Sequence, residues 1–356
     1  MKILFISRAF PPVVGGMENQ NWELSRQLPK LAKTRTIANR KGKMALPYFL
    51  PYALLVALFT MRKYDVLLLG DGVLGIVGWA VKTVYGNRKK VVVVTHGLDL
   101  TFKMPLYSIF WVKLFIPSCD RIIAVGNETI RTGVELGIPR EKFMFIPNGV
   151  DTKAFAPTDV PRSELEKILG TELDGKKVIL TSGRLARRKG VAWFIRHVLP
   201  KLPGNILYVV AGDGPDRENI AAAVSETDSA QRVFRLGYVT DEVRNTLFHA
   251  CDLFVQPNIR IPGTMEGFGL TVLEAASSGV PVLASNLEGL PDAIQDGKNG
   301  FLVDPENPSA WASMILELLA ESFDGKSFGV NAHSYIDEKF SWDGIAKKYL
   351  EIIAGN

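Results

Sequence analysis

The chain has 356 residues, 47% of them hydrophobic, with 42 Lys and Arg, 37 Asp and Glu, a formal charge of +5 and two cysteines. That length exceeds what one hydrophobic core usually supports, and so few cysteines exclude a disulfide framework. The net charge hides an asymmetry: residues 1–150 carry 21 basic against 9 acidic side chains (+12), and residues 151–356 carry 21 against 28 (−7).

In chain order, Ile3–Ile6 predicts a strand, and Pro11-Pro12-Val13-Val14-Gly15-Gly16 leads into a helix near Met17. Gly15 and Gly16 would let backbone approach a phosphate at that helix start. The first strand lacks the long apolar core of a signal peptide and meets two prolines at once, so a cytoplasmic, reducing location is expected. No acidic residue lies between Glu23 and Asp65, while Arg26, Lys30, Lys33, Arg35, Arg40, Lys41, Lys43, Arg62 and Lys63 are basic. These residues flank the apolar run 44–60, which Pro47 and Pro51 interrupt and which is short of about 18 apolar residues, a poor transmembrane span. Tyr107–Phe115 is a second segment joining aromatic and basic groups. Either segment is a helix packed on an amino-terminal sheet or a surface that docks on an anionic membrane. Nucleic acid is not expected, because no aromatic-basic recognition module accompanies the basic stretch.

Gly70-Asp71-Gly72-Val73-Leu74-Gly75 matches the G-x-G-x-x-G dinucleotide fingerprint. The next strand, Val91–Thr95, is followed by His96 and Gly97, with no carboxylate for a ribose until Asp99. A close helix–strand packing turn is therefore the expected use of these glycines. His96 ends its strand at the edge where α/β sheets bind ligands, and Asp71 and Asp99 share that edge as secondary candidates for an acceptor contact.

Further strands are expected at Asp65–Leu69, Arg121–Val125, Phe143–Ile146, Lys177–Thr181, Ile206–Ala211, Val233–Gly237, Asp252–Gln256, Val280–Ala284 and Gly300–Val303. Their alternation with helices argues for an α/β chain with two parallel sheets. An Asn148-Gly149 turn closes the first set, residues 151–175 read as a linker, and Trp342 opens an amphipathic last helix. The cysteines, Cys119 and Cys251, read as small buried thiols.

Two segments carry the chemistry. Ser182–Gly190 crowds Arg184, Arg187, Arg188 and Lys189 into one strand-to-helix loop, a counter-charge for a diphosphate. Glu266-Gly267-Phe268-Gly269-Leu270-Thr271-Val272-Leu273-Glu274 places two carboxylates around a glycine turn that opens a helix over Thr271–Ser278. Amides at Phe268, Gly269 and Leu270 would meet a phosphate, and Glu274, one turn in, would meet a vicinal diol. Phosphate plus diol means a nucleotide.

Together, the Gly15-Gly16 turn, the Gly183-Arg184…Lys189-Gly190 loop, Pro147-Asn148-Gly149-Val150-Asp151 and the Glu266…Glu274 motif resemble glycosyltransferase family 4, nearly end to end. The resemblance implies the GT-B fold: two facing Rossmann-like domains with parallel sheets and an interdomain cleft. Residues 1–150 would bind the acceptor, residues 151–340 the nucleotide sugar, and the 341–356 helix would pack back on the first domain. It implies a retaining enzyme that moves a hexose such as mannose or glucose from a UDP- or GDP-sugar to a lipid-linked or cell-envelope glycan. His96, Glu266, Arg184 and Lys189 would be catalytic. Gly15, Gly16, Arg184, Lys189, Phe268, Gly269, Leu270 and Glu274 would bind the donor, without cofactor or metal, and no Asp-x-Asp triplet is present. Peripheral association with the inner membrane face is a further expectation. A nucleotide-sugar epimerase or phosphorylase on the same fold, or a non-catalytic homologue, stays open. Residues 258–265 lengthen the loop before Glu266 relative to the family pattern, and residues 30–64 are idiosyncratic.

Overall fold

The computed structural model describes residues 1–355 apart from Val14 and Lys103, so Val14 of the Pro11–Gly16 run lies outside the described residues. The chain divides into two compact units, Met1–Gly149 with Phe340–Asn356, and Val150–Lys339. Six strands belong to the first: β1 (Lys2–Ser7), β2 (Lys33–Ala38), β3 (Val66–Leu69), β4 (Lys90–Thr95), β5 (Arg121–Ala124) and β6 (Phe143–Phe145). Six belong to the second: β7 (Lys177–Ser182), β8 (Ile206–Ala211), β9 (Val233–Gly237), β10 (Leu253–Gln256), β11 (Val282–Ser285) and β12 (Phe301–Val303). Both sheets are parallel, in the orders β2-β1-β3-β4-β5-β6 and β12-β11-β10-β7-β8-β9.

Central strands such as β3 and β4 are near-continuous Val and Leu because helices cover both faces of a parallel sheet. The sequence reading missed β2. Lys33-Thr34-Arg35-Thr36-Ile37-Ala38 is an edge strand whose residues are mostly half-buried or exposed, so it lacks an apolar run and read only as part of the basic stretch. The stretch read as a linker also holds more than a linker. Residues Arg162–Leu169 form a helix that buries Leu165 and Leu169, and the Arg162 guanidinium donates to the Asp252 carboxylate at 2.9 Å.

In the first unit, the last helix, Trp342–Ala354, packs on Gly16–Leu31. The Gln20 amide donates to the buried Tyr349 hydroxyl at 2.7 Å, and Lys90 Nζ donates to the Ile352 carbonyl at 2.8 Å. A Cβ on Gly149 would lie 2.6 Å from the Trp342 ring, so the Asn-Gly turn is fitted to that helix. The glycines of the dinucleotide fingerprint serve packing: a Cβ on Gly75 would lie 3.2 Å from Ile116, and one on Gly72 2.8 Å from the Asp99 carboxylate.

The prolines do not break the 44–60 segment. Lys43–Lys63 is one continuous helical stretch of 21 residues, long and apolar enough to cross a membrane by length and composition. Pro47 sits in the first turn, where no N–H is needed, and Pro51 falls four residues later, so the ring removes just one early hydrogen bond. Phe49, Ala53 and Ala57 face the core of the unit, while Tyr48, Tyr52, Leu55 and Phe59 are exposed. Residues Ser108–Phe115 form a wide π-helical turn, with the Ile116 amide donating to the Trp111 carbonyl.

Cys119 and Cys251 are free and buried, and burial pushes the Cys119 thiol up to about 12 and raises that of Cys251 as well. Neither is a reactive thiolate at neutral pH.

Candidate active site

The second sheet has the Rossmann order, with β7 and β10 flanking the point where the chain reverses direction. Loops leaving the carboxyl ends of those two strands meet there. The Ile259 amide donates to the Arg188 carbonyl at 2.9 Å. Gly190, at φ 67°, lies so close to the Pro257 carbonyl that no side chain could be accommodated. The basic loop and the loop carrying Glu266 are thus one stitched surface.

At its centre is Glu266, 9% exposed. Its Oε2 takes Lys189 Nζ at 2.7 Å, with Arg188 Nε and Asn258 Nδ2 each at 3.5 Å. Burial acts to raise the Glu266 pKa, but Lys189 and Arg188 outweigh it and the net shift is downward. Arg184 and Arg187 extend to solvent from the same loop. The structure therefore brings Glu266 and Lys189 into direct contact, a pairing the sequence reading did not foresee. That reading also passed over Asn258 as a ligand of Glu266, and over Glu288, whose Oε2 accepts the Glu266 amide at 2.5 Å. Position alone could have found Glu288, a charged residue at the carboxyl edge of the strand next to β10.

The following helix, Leu270–Ser277, starts at Gly269 in a left-handed conformation (φ 89°) with no side-chain cap. Its first amides need a partner, and an anion is a natural one. The backbone angle favours glycine there, and a Cβ on Gly269 would sit 2.7 Å from the Leu290 side-chain tip. Phe268 is buried and Leu270 half-buried beside it. Thr271 Oγ1 lies 3.5 Å from where a Gly183 Cβ would be, which places the helix start against the basic loop. Glu274 is half-buried on this helix, and its pKa is raised, chiefly by burial, with Arg244 opposing and Asp241 adding to the shift.

In the first unit, the carboxyl ends of β1, β3 and β4 form a second edge. His96 is half-buried there, its Nε2 3.2 Å from the Gly70 carbonyl. A carbonyl only accepts, so Nε2 carries the proton and Nδ1 is the nitrogen left to meet a ligand. Asp71 and Asp99 are both buried beside it. Asp99 is buried and accepts the His96 amide at 3.0 Å and the Gly72 amide at 2.9 Å. Asp71 is fully buried, bound to Arg8 Nε at 2.7 Å and to the Val73 amide at 2.9 Å. Both carboxylates shape the turn that holds His96, and burial raises the Asp99 pKa despite nearby His96. Gly15 is the extended residue before the Gly16–Leu31 helix, and the Glu18 carboxylate folds back over it.

A cavity of about 470 Å³ in the second unit lies elsewhere, at the amino ends of β7, β10 and β11 near Lys177, Asp252 and Pro281. The chemistry-bearing loops lie on the opposite edge of that sheet.

Two parallel six-stranded α/β units, one with an anion-ready edge at its switch point, define the GT-B class. Residues 14–154 match the family model described as Glycosyltransferase Family 4, and residues 176–321 match Glycosyl transferases group 1. An uncharacterized glycosyltransferase of Methanocaldococcus jannaschii is 27% identical over 99% of this chain and 97% of its own. A GDP-mannose-dependent alpha-(1-6)-phosphatidylinositol monomannoside mannosyltransferase of Mycobacterium tuberculosis is 28% identical over 76% of this chain and 71% of its own. Among solved structures, Anabaena HepE in complex with UDP superposes with a TM-score of 0.81 at 20% identity, each chain fully covered. The chain belongs to glycosyltransferase family 4 and is a sugar-transferring enzyme.

Replacing Glu266 by Gln should strand Lys189 and Arg188 and cost about 2–4 kcal/mol of unfolding free energy at pH 7, read by urea denaturation. A depressed carboxylate pKa contributes stability that is present above the usual Glu range and lost as pH falls through the lowered value. The gap between wild type and variant should therefore narrow on acidification. A gap that is absent at pH 7, or unchanged at pH 3, contradicts the assignment.

Proposed function

We propose that this enzyme transfers a hexose from a UDP- or GDP-sugar to a glycan or lipid-linked acceptor, with retention of configuration. The observation that carries the reading is the convergence of three groups on one sheet edge: the uncapped helix start at Leu270, the cationic loop Arg184–Lys189, and half-buried Glu274. Phosphates suit the first two, and a ribose diol suits the third. The names of relatives support the donor class, since one uses GDP-mannose and a structural neighbour was solved with UDP.

As the sugar–diphosphate bond breaks, negative charge grows on the leaving phosphate, and Arg184, Lys189 and the Phe268–Leu270 amides stabilise it. Lys189 then has two anions to serve, the departing phosphate and Glu266. Glu266 orients the transferred sugar, Glu274 accepts from the ribose hydroxyls, and His96 Nδ1 accepts from a sugar hydroxyl. Gly15 and Gly16 offer a further backbone approach to phosphate once Glu18 gives way. Protein cations do the work that a divalent metal does in other transferases, so the reaction is metal-independent. The acceptor attacks from the face that the diphosphate leaves.

Thermal shift with GDP-mannose and UDP-glucose should show one of them raising Tm, with the effect intact in excess EDTA. Glu274→Gln removes the burial penalty on an ionised carboxylate, a penalty that takes effect as pH rises through the raised pKa. The ligand-free variant should be at least as stable as wild type at pH 7 yet bind the nucleotide about tenfold more weakly, or about 1.4 kcal/mol. Binding that needs a divalent ion, or that the variant leaves unchanged, contradicts the reading.

The enzyme further docks on an anionic membrane through its first unit, at the cytoplasmic face. Support comes from the exposed row Tyr48, Tyr52, Leu55 and Phe59, from exposed Leu106, Ile109, Phe110 and Leu114, and from Lys43, Arg62 and Lys63 at the two ends of the helix. Only 22% of that helix's most apolar window is buried. Docking is favoured over spanning because Phe49, Ala53 and Ala57 are tied into the core and the helix leads directly into β3. Each basic side chain near such a surface contributes on the order of 1 kcal/mol, and salt screens it. Co-sedimentation with phosphatidylglycerol vesicles should fall as salt rises and weaken on Arg40, Lys41 and Lys43→Gln, whereas phosphatidylcholine vesicles should not pellet the protein. Indifference to anionic vesicles at low salt overturns the docking reading.

A further inference from the structure

The segment carrying Glu266 is long for the geometry asked of it. Residues 257–265 intervene between β10 and Glu266, and residues 262–264 at the tip are exposed. A tether of that length does not by itself fix a carboxylate.

The structure holds the segment from the neighbouring strand instead. Ser285 Oγ, at the end of β11, donates to the Asn258 carbonyl at 2.7 Å. Three residues later Glu288 adopts φ 54°, a left-handed conformation that L side chains disfavour. From there its Oε2 accepts the Glu266 amide at 2.5 Å. The next residue, Gly289, donates its amide to the Glu266 carbonyl at 3.1 Å. Gly289 approaches the Gly267 carbonyl so closely that a Cβ would stand 2.5 Å from it. Both backbone groups of Glu266 are therefore held by one turn, while its side chain is held by Lys189 and Asn258.

We propose that Glu288 is a positioning residue: from a left-handed turn its carboxylate fixes the Glu266 backbone, so that the Glu266 side chain meets the transferred sugar in one orientation. The inference rests on the donor reading above. Two roles are open to Glu288: filling a left-handed turn, as Asp228 (φ 49°) and Glu306 (φ 58°) do elsewhere, and holding the Glu266 amide. Glycine adopts φ 54° freely. Glycine substitution therefore separates the two roles, because it relaxes the backbone while it deletes the hydrogen bond.

The test compares Glu288→Gly, Glu288→Asn and Glu288→Gln by Tm and by calorimetric titration with GDP, GDP-mannose, UDP and UDP-glucose. Asn also tolerates the left-handed region but is too short to reach the amide, and Gln keeps an acceptor at the right length. The Gly and Asn variants should keep nucleoside diphosphate affinity within about twofold and lose about five- to tenfold for the matching nucleotide sugar, as expected for one lost charge-assisted hydrogen bond. Their Tm should stay near or above wild type, and the Gln variant should retain most of the sugar affinity. Unchanged preference for the nucleotide sugar in the Gly variant overturns the proposal, as does an equal loss for diphosphate and sugar nucleotide with a lowered Tm. If wild type binds neither diphosphate, the donor reading itself falls and this role falls with it.

Discussion

A buried carboxylate must be compensated, and the compensation of Glu266 organises the carboxyl edge of the second sheet. Lys189 at 2.7 Å and Arg188 at 3.5 Å supply the charge, and both come from a different loop. Their attraction therefore does more than hold one pair. It closes the β7 loop onto the β10 loop, and the Ile259–Arg188 backbone bond repeats that closure without charge. Neither loop could shift alone without leaving a buried ion exposed to an apolar environment, which costs several kcal/mol. Rigid placement of cations before the donor arrives is also what electrostatic catalysis requires.

Two further features mark the same edge. Glu274 is held with a raised pKa, and the helix starting at Leu270 has no side-chain cap. A nucleotide diol and phosphate would answer both. In the first unit the carboxylates are turned inward: Asp99 accepts two backbone amides and Asp71 Oδ1 accepts from Arg8 and the Val73 amide, while the half-buried His96 ring lies at that edge.

Much of this was legible in the sequence, for physical reasons. Strands buried on both faces announce themselves as Val and Leu runs, as β4 and β8 do. The Glu266…Glu274 spacing and the basic loop pointed to one shared edge because glycines, cations and a helix start occur together there, and the structure joins the two loops through Lys189 and the Ile259–Arg188 bond. What the sequence hid depends on contacts between distant residues. Edge strand β2 has no apolar run, and the Arg162–Leu169 helix is short enough to pass for a linker. The prolines at 47 and 51 suggested a broken helix, yet their place in the first two turns costs little. Asp71 and Asp99 looked available until their amide and Arg8 partners folded onto them. The Glu266–Lys189 pair and the Glu288 clasp join segments 77 and 22 positions apart, and no local pattern encodes either.

The central claim is that Glu266 and Lys189 act as one electrostatic unit. A double-mutant cycle with Glu266→Gln and Lys189→Met, read by urea denaturation at pH 7, tests it most directly. The account predicts a coupling of at least about 1 kcal/mol in favour of the native pair, shrinking as pH falls and Glu266 takes up its proton. Additive single-variant losses at pH 7 would contradict it.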